Sequence, residues 1–132
     1  MTSKLCPCGS TRPYEECCQL IISGRREAAT CQELMRSRYV AFTLADVEYL
    51  MRSHHTDTRQ LKEQNRIKKW AQSVQWMGLV ILNTQGGEVN DSIGYVEFKA
   101  LYMEDGQLQE IHENSLFKRQ NQRWVYVSGV HY

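Results

Sequence analysis

Four of the five cysteines in this chain fall within its first eighteen residues, at Cys6, Cys8, Cys17 and Cys18. The pattern is Cys-x-Cys, eight intervening residues, then Cys-Cys. Thiolates are soft donors, and four of them in tetrahedral array suit Zn2+ at a Zn–S distance of about 2.3 Å. A Cys-x-Cys pair can place two sulfurs on one ion around a tight turn that Gly9 relaxes. The adjacent pair Cys17-Cys18 then requires a sharp backbone turn if both sulfurs are to reach the same ion. Four sulfurs leave no position for water, which makes the site structural and a poor catalyst. Three other arrangements stay open at this level. One of the last pair could yield to a histidine or a water, the cysteines could hold an iron–sulfur centre, or they could form disulfides. Thiol–disulfide exchange fits less well, because that chemistry uses two residues between its cysteines. The fifth cysteine, Cys31, opens a helical pattern and reads as a small, semi-buried packing residue.

A second set of residues could move protons. Strand alternation places Val96, Phe98, Ala100 and Tyr102 on one face, and Ile111, Glu113, Ser115 and Phe117 on the same face of the next strand. Glu113 and Ser115 are therefore polar groups on an apolar side and need hydrogen bonds or a cavity. Arg36, Arg38, Tyr39, His54 and His55 are their candidate partners from the helical half. An acid–base enzyme would use Glu113 with His55. The chain has no nucleophile elbow, phosphate loop or HExxH pattern, so the balance is against an enzyme. Trp70, Trp76 and Trp124 read as core or rim aromatics. Lys62, Arg66, Lys68 and Lys69 read as a solvated helix flank.

The elements that must position these groups follow from periodicity. Thr30 with Glu33 three residues later starts a helix whose apolar stripe is Leu34, Met35, Tyr39 and Phe42, with the heads of Arg36 and Arg38 reaching solvent. Asp46 caps a second, shorter helix. Asp57 is the expected cap of a third, polar helix over 58–73. From Val74 the period becomes strand-like: 74–82, a turn over 83–91, 93–103, a hairpin turn at Glu104-Asp105-Gly106-Gln107, 108–119, a turn at Asn121-Gln122, and 123–128. Three helices followed by an antiparallel meander make an α+β class, with the helices covering one sheet face.

Composition narrows the function. The formal net charge of the 132 residues is +1. It becomes about −1 once four thiols exchange their protons for one divalent cation, so no broad nucleic-acid surface is expected. No apolar run approaches a membrane span, and no export signal follows Met1, so the expected compartment is the cytoplasm, where thiols stay free for metal.

The stretch from Cys6-Pro7-Cys8-Gly9-Ser10 to Arg12-Pro13-Tyr14-Glu15-Glu16-Cys17-Cys18 resembles the SEC-C zinc motif at the C-terminus of the SecA translocation ATPase. Leu34-Met35-Arg36-Ser37-Arg38-Tyr39-Val40-Ala41-Phe42, Trp76-Met77-Gly78-Leu79, Val96-Glu97-Phe98-Lys99-Ala100 and His112-Glu113-Asn114-Ser115-Leu116-Phe117 resemble the YchJ family of small bacterial proteins. The resemblance implies zinc on Cys6, Cys8, Cys17 and Cys18. It also implies a curved-sheet, cystatin-like cone fold of the kind shared by nuclear transport factor 2 and scytalone dehydratase. The chain then divides into a knuckle (1–20), a connector (21–29) and a cone-shaped α+β domain (30–132). In SecA the motif is associated with the chaperone SecB and the ribosome. The function expected here is a zinc-binding docking module with a protein or ribosomal partner, and a homodimer through the sheet is a further option. The alternative is a small enzyme or ligand-binding protein using the cone cavity around Glu113.

Overall fold

The computed structural model describes residues 4–132, so residues 1–3 of the expected 1–20 knuckle lie outside the described residues. A 3-10 turn at Tyr14–Glu16 leads into the first of four helices, α1 (Cys18–Ile22), α2 (Cys31–Thr43), α3 (Val47–Arg52) and α4 (Gln64–Ser73). Four strands follow: β1 (Gln75–Gly86), β2 (Ile93–Glu104), β3 (Gln107–Gln120) and β4 (Arg123–His131). The sheet is antiparallel throughout, in the order β1-β2-β3-β4.

Helix starts obey their local signals. Thr30 accepts a hydrogen bond from the Glu33 amide at 3.2 Å, and Asp46 accepts one from the Tyr49 amide at 3.0 Å. Each satisfies a donor that the first helical turn leaves open. The Glu33 carboxylate does not close the box on Thr30. It takes the Ala29 amide at 2.8 Å and the Arg26 guanidinium at 3.0 Å.

The third helix starts later than its cap signal predicts. Asp57 caps nothing, because the segment before α4 is tied to β4. The His55 amide donates to the Tyr126 carbonyl at 2.8 Å, and the Thr58 and Arg59 amides return to the His55 carbonyl. A 3-10 turn at Leu61–Glu63 then opens α4. Similarly, the turn expected over 83–91 is shorter, because Asn83 to Gly86 continue β1 and pair with Glu97 to Gly94.

The curved, cone-like sheet is not formed. Short hairpins join β2 to β3 and β3 to β4, and each strand pairs only with its neighbours in sequence. Strands β1 and β4 therefore remain at opposite edges, and the four-stranded sheet neither curls on itself nor closes. Closure needs the two edge strands to meet through a tilted, staggered register, and the ladder supplies no such pair.

The alternation itself holds. Phe98 pairs with Glu113, Ala100 with Ile111 and Val96 with Ser115, so these residues share the face that α2 covers. Val96, Phe117 and Val40 are fully buried between the layers. On the outer face the charges pair across strands, Glu97 with His112 at 2.7 Å and Lys99 with Glu110 at 3.4 Å.

The β3–β4 hairpin turns on Asn121 and Gln122, at φ +53° and +67°. Glutamine pays for that left-handed backbone and glycine does not. Gln122→Gly is expected to stabilise the fold by about 0.5–1 kcal/mol, read as an upward shift in the denaturation midpoint.

Candidate functional site

The cysteine segment is a small hairpin. The Cys6 amide donates to the Arg12 carbonyl at 2.8 Å, the Tyr14 amide donates to the Lys4 carbonyl at 3.0 Å, and Leu5 bridges to Pro13. Gly9, at φ +84°, turns the chain between the arms. The 3-10 turn then delivers Cys17, whose unusual backbone (φ −126°, ψ −116°) bends the chain so that Cys18 can start α1. This is the sharp turn that the adjacent pair requires. Arg36 of α2 donates to the Cys8 carbonyl and fastens the hairpin to the helical layer.

All four side chains are buried, and the sulfurs of Cys6, Cys8, Cys17 and Cys18 lie within 4.8 Å of one another. Cys8 and Cys17 are 3.7 Å apart and Cys17 and Cys18 are 4.0 Å apart. A tetrahedral ion with bonds of about 2.3 Å needs sulfurs about 3.8 Å apart, close to the Cys8–Cys17 and Cys17–Cys18 separations. The sulfurs compete for protons. Donation from the Cys18 thiol, helped by Ser10 and Cys6, pulls Cys8 down to about 4. Holding that hydrogen bond pushes Cys18 well up, and burial raises Cys6 to about 11. A cluster capable of coordinating a metal ion is thus in place, and binding would replace these shared protons. Cys31 stands apart. Burial, with Glu88 and Asp91 nearby, raises its thiol to about 11, which keeps it protonated and unreactive.

A cavity of about 430 Å³ lies between the helices and the sheet, and Glu113, Ser115 and Arg38 line it. Glu113 finds its partners on β3 and β4. Its Oε2 accepts from the Ser115 hydroxyl and from the Tyr126 hydroxyl at 3.1 Å, while its Oε1 faces His131 Nε2 at 3.2 Å. Gly129 leaves the space for this carboxylate, since a Cβ there would sit 2.0 Å from Glu113 Oε2.

Of the two adjacent histidines, His54 lines the cavity and His55 does not. His55 instead accepts the Asp57 amide on Nδ1 at 3.0 Å. Arg38 is also placed differently from expectation. It is 6% exposed, and its Nη1 donates to the Leu50 carbonyl and the Ser53 hydroxyl at 2.8 and 2.7 Å. A signal for this was present, because Leu34, Arg38 and Phe42 are four residues apart on one helix face. Tyr126 and His131 carried no comparable signal.

Burial, reinforced by Arg38, Arg59 and His55, lowers the His54 pKa to about 4. The unfolded chain takes this proton near pH 6.5. Between about 6.5 and 4 the unfolded state therefore binds more protons, and stability falls as pH falls through that window. Above it His54 contributes no slope. Discounted for partial solvent access, the loss is about 1–2 kcal/mol. It should appear as a drop in denaturation midpoint between pH 7.5 and 4.5 that His54→Gln reduces.

Comparison with known proteins agrees with this layout. The family model described as "YchJ, middle NTF2-like domain" matches residues 30–129, and the SEC-C motif matches residues 3–20. A UPF0225 protein of Geobacter sulfurreducens is 40% identical over 127 residues, covering 96% of this chain and 79% of that protein. Another, from Pectobacterium carotovorum, is 42% identical over 132 residues, covering 98% and 84%. Among solved structures, a SEC-C motif containing protein from Rhodopseudomonas palustris superposes with a TM-score of 0.87 at 31% identity, covering 96% of this chain and 98% of that one. One from Psychrobacter arcticus superposes with a TM-score of 0.81 at 28% identity, covering 95% and 81%. With its four clustered sulfurs at the head of a helix-covered antiparallel sheet, the chain belongs to the YchJ family and carries a SEC-C motif.

Proposed function

We propose that this chain is a zinc-binding docking module whose knuckle presents a surface to a protein partner. The observation that carries the reading is the buried set of four sulfurs within 4.8 Å of one another, lying beneath an exposed rim of Lys4, Leu5 and Arg12. Zinc is favoured by the all-sulfur donors and their spacing. Such an ion holds the loop in shape and takes no part in chemistry, because four thiolates fill its coordination. Leu5 is 61% exposed beside two cations, which suits a partner offering an apolar contact ringed by acidic groups. No helix among the described residues is long and apolar enough to cross a membrane.

The test joins metal analysis to capture. Purified protein should carry one zinc per chain, and a partner captured by the wild type should be lost with both Cys8→Ser and Arg12→Glu. Identical partner lists for the three proteins, or a cluster filled by another metal, would overturn the proposal. A captured ribosomal particle in place of a single protein would redirect it to the ribosome.

A further inference from the structure

The cavity between the helices and the sheet holds a buried cation that makes no ion pair among the described residues. Arg38 is buried, and its Nη1 is satisfied by a carbonyl and a hydroxyl, both neutral. Tyr126 stacks beneath the guanidinium, 4.6 Å from its carbon. Among the described residues no carboxylate lies within 4.0 Å of it. Glu113 shares the cavity and acts on the guanidinium from beyond ion-pair distance, while its oxygens are hydrogen-bonded to Ser115 and Tyr126 and face His131. Arg38 Nε and Nη2 make no hydrogen bond, yet every fully enclosed side-chain nitrogen among the described residues has a partner. These two donors must therefore open on the cavity that Arg38 lines.

A buried guanidinium with no directly paired carboxylate is costly, and its planar fork matches a carboxylate in bidentate fashion. The rest of the cavity describes the body attached to that carboxylate. Tyr39, Phe42, Trp70 and Trp76 line it. Ring centres lie 5.9 Å apart for Tyr39–Trp76 and for Phe42–Trp76, and 5.3 Å apart for Trp70–Trp76, mostly edge to face. These rings pack on one another and give the cavity an aromatic wall. A volume of about 430 Å³ suits a molecule of one or two fused rings. The Glu113 carboxylate in the same space disfavours a second negative charge, and the aromatic wall disfavours a polyol or phosphate.

We propose that this cavity binds a small aromatic monocarboxylate, with its carboxylate on Arg38 Nε and Nη2 and its ring against Trp70 and Trp76. The site shares no residue with the cysteine cluster and does not depend on the docking function.

The probe is 2-naphthoate, with 2-naphthylmethanol as the same ring without the charge, each titrated into the full chain by calorimetry and by the indole N–H signals in NMR. Naphthoate should bind one per chain and about 10–100-fold more tightly than the alcohol, the usual worth of a charge-assisted pair. Arg38→Gln should bring the two affinities together while preserving the alcohol's, and Trp70→Ala should weaken both. Equal affinities for the wild type, an undiminished preference in Arg38→Gln, or no saturable naphthoate binding below about 1 mM would sink the proposal. Should Arg38→Gln not fold, the wild type decides. Nuclear Overhauser contacts from naphthoate to the Trp70 and Trp76 rings with a shifted Arg38 Nε–H support the site, and contacts elsewhere overturn it.

Discussion

In Cys8→Ser, the zinc proposed for the cluster is expected to fall from one ion per chain to a small fraction of that, with loosening greatest in the hairpin and the first helical turn after it. A serine hydroxyl does not ionise at neutral pH and is a hard, weak donor for this ion, so the closed sulfur set is broken. Cys8 has no exposed surface, and its carbonyl is the acceptor for Arg36, so the change also reaches the anchor to α2. The amides of Cys6, Tyr14 and Cys17, bonded to Arg12, Lys4 and Tyr14, report the hairpin and should exchange faster with solvent. Amides in the β2–β3 ladder should lose protection only as far as global stability falls, because that pairing draws nothing from the knuckle. The four cysteines nevertheless belong to the same buried cluster as Leu34 and Met35. A global loss of about 2–4 kcal/mol is therefore expected alongside the local one. Zinc analysis and hydrogen exchange on one sample check both, and full zinc with unchanged exchange would defeat the assignment.

Gly94→Ala is expected to be strongly destabilising. A Cβ there would lie 2.4 Å from Gly87 Cα, 2.6 Å from Gly87 N and 2.9 Å from Cys31 Sγ. Three segments meet at this point. The Cys31 amide at the start of α2 donates to the Gly87 carbonyl at 2.9 Å, and the Gly87 amide donates to the Ile93 carbonyl at 3.0 Å. Two of the obstructing atoms are backbone and cannot swing away, so α2 must lift or the ladder must open. The expected cost is about 3–5 kcal/mol. Gly24→Ala is the control. Its φ is +83° and nothing lies within 4 Å of the added methyl, so it carries only the backbone penalty of about 1 kcal/mol. Denaturation midpoints for the two variants separate the effects, and similar losses would show that the convergence at Cys31 is not tight.

The legibility of the chain tracks how local each decision is. Thr30 and Asp46 are readable as caps because a side chain three residues from an open amide needs no distant partner. Asp105-Gly106 is readable as a hairpin because a two-residue turn demands positive φ, and the values there are +52° and +78°. Asp57 misleads as a cap because β4, some seventy residues away in sequence, takes the preceding loop through Tyr126. Arg38 misleads as a solvated residue because helical spacing gives its face but not what covers that face.

By itself the sequence determined the sulfur cluster, the caps of α2 and α3, the tight turns and the inward alternation of β2 and β3. Each depends on residue type and on spacings short enough for the chain to meet itself. Only the tertiary structure decided that the sheet stays open, that Glu113 is held by Tyr126 and His131, and that Arg38 faces a cavity without a direct ion pair. Those outcomes depend on which strands end as edges and on where α2 lies across the sheet. Both follow from the summed packing of the buried face, which no single residue or local pattern encodes.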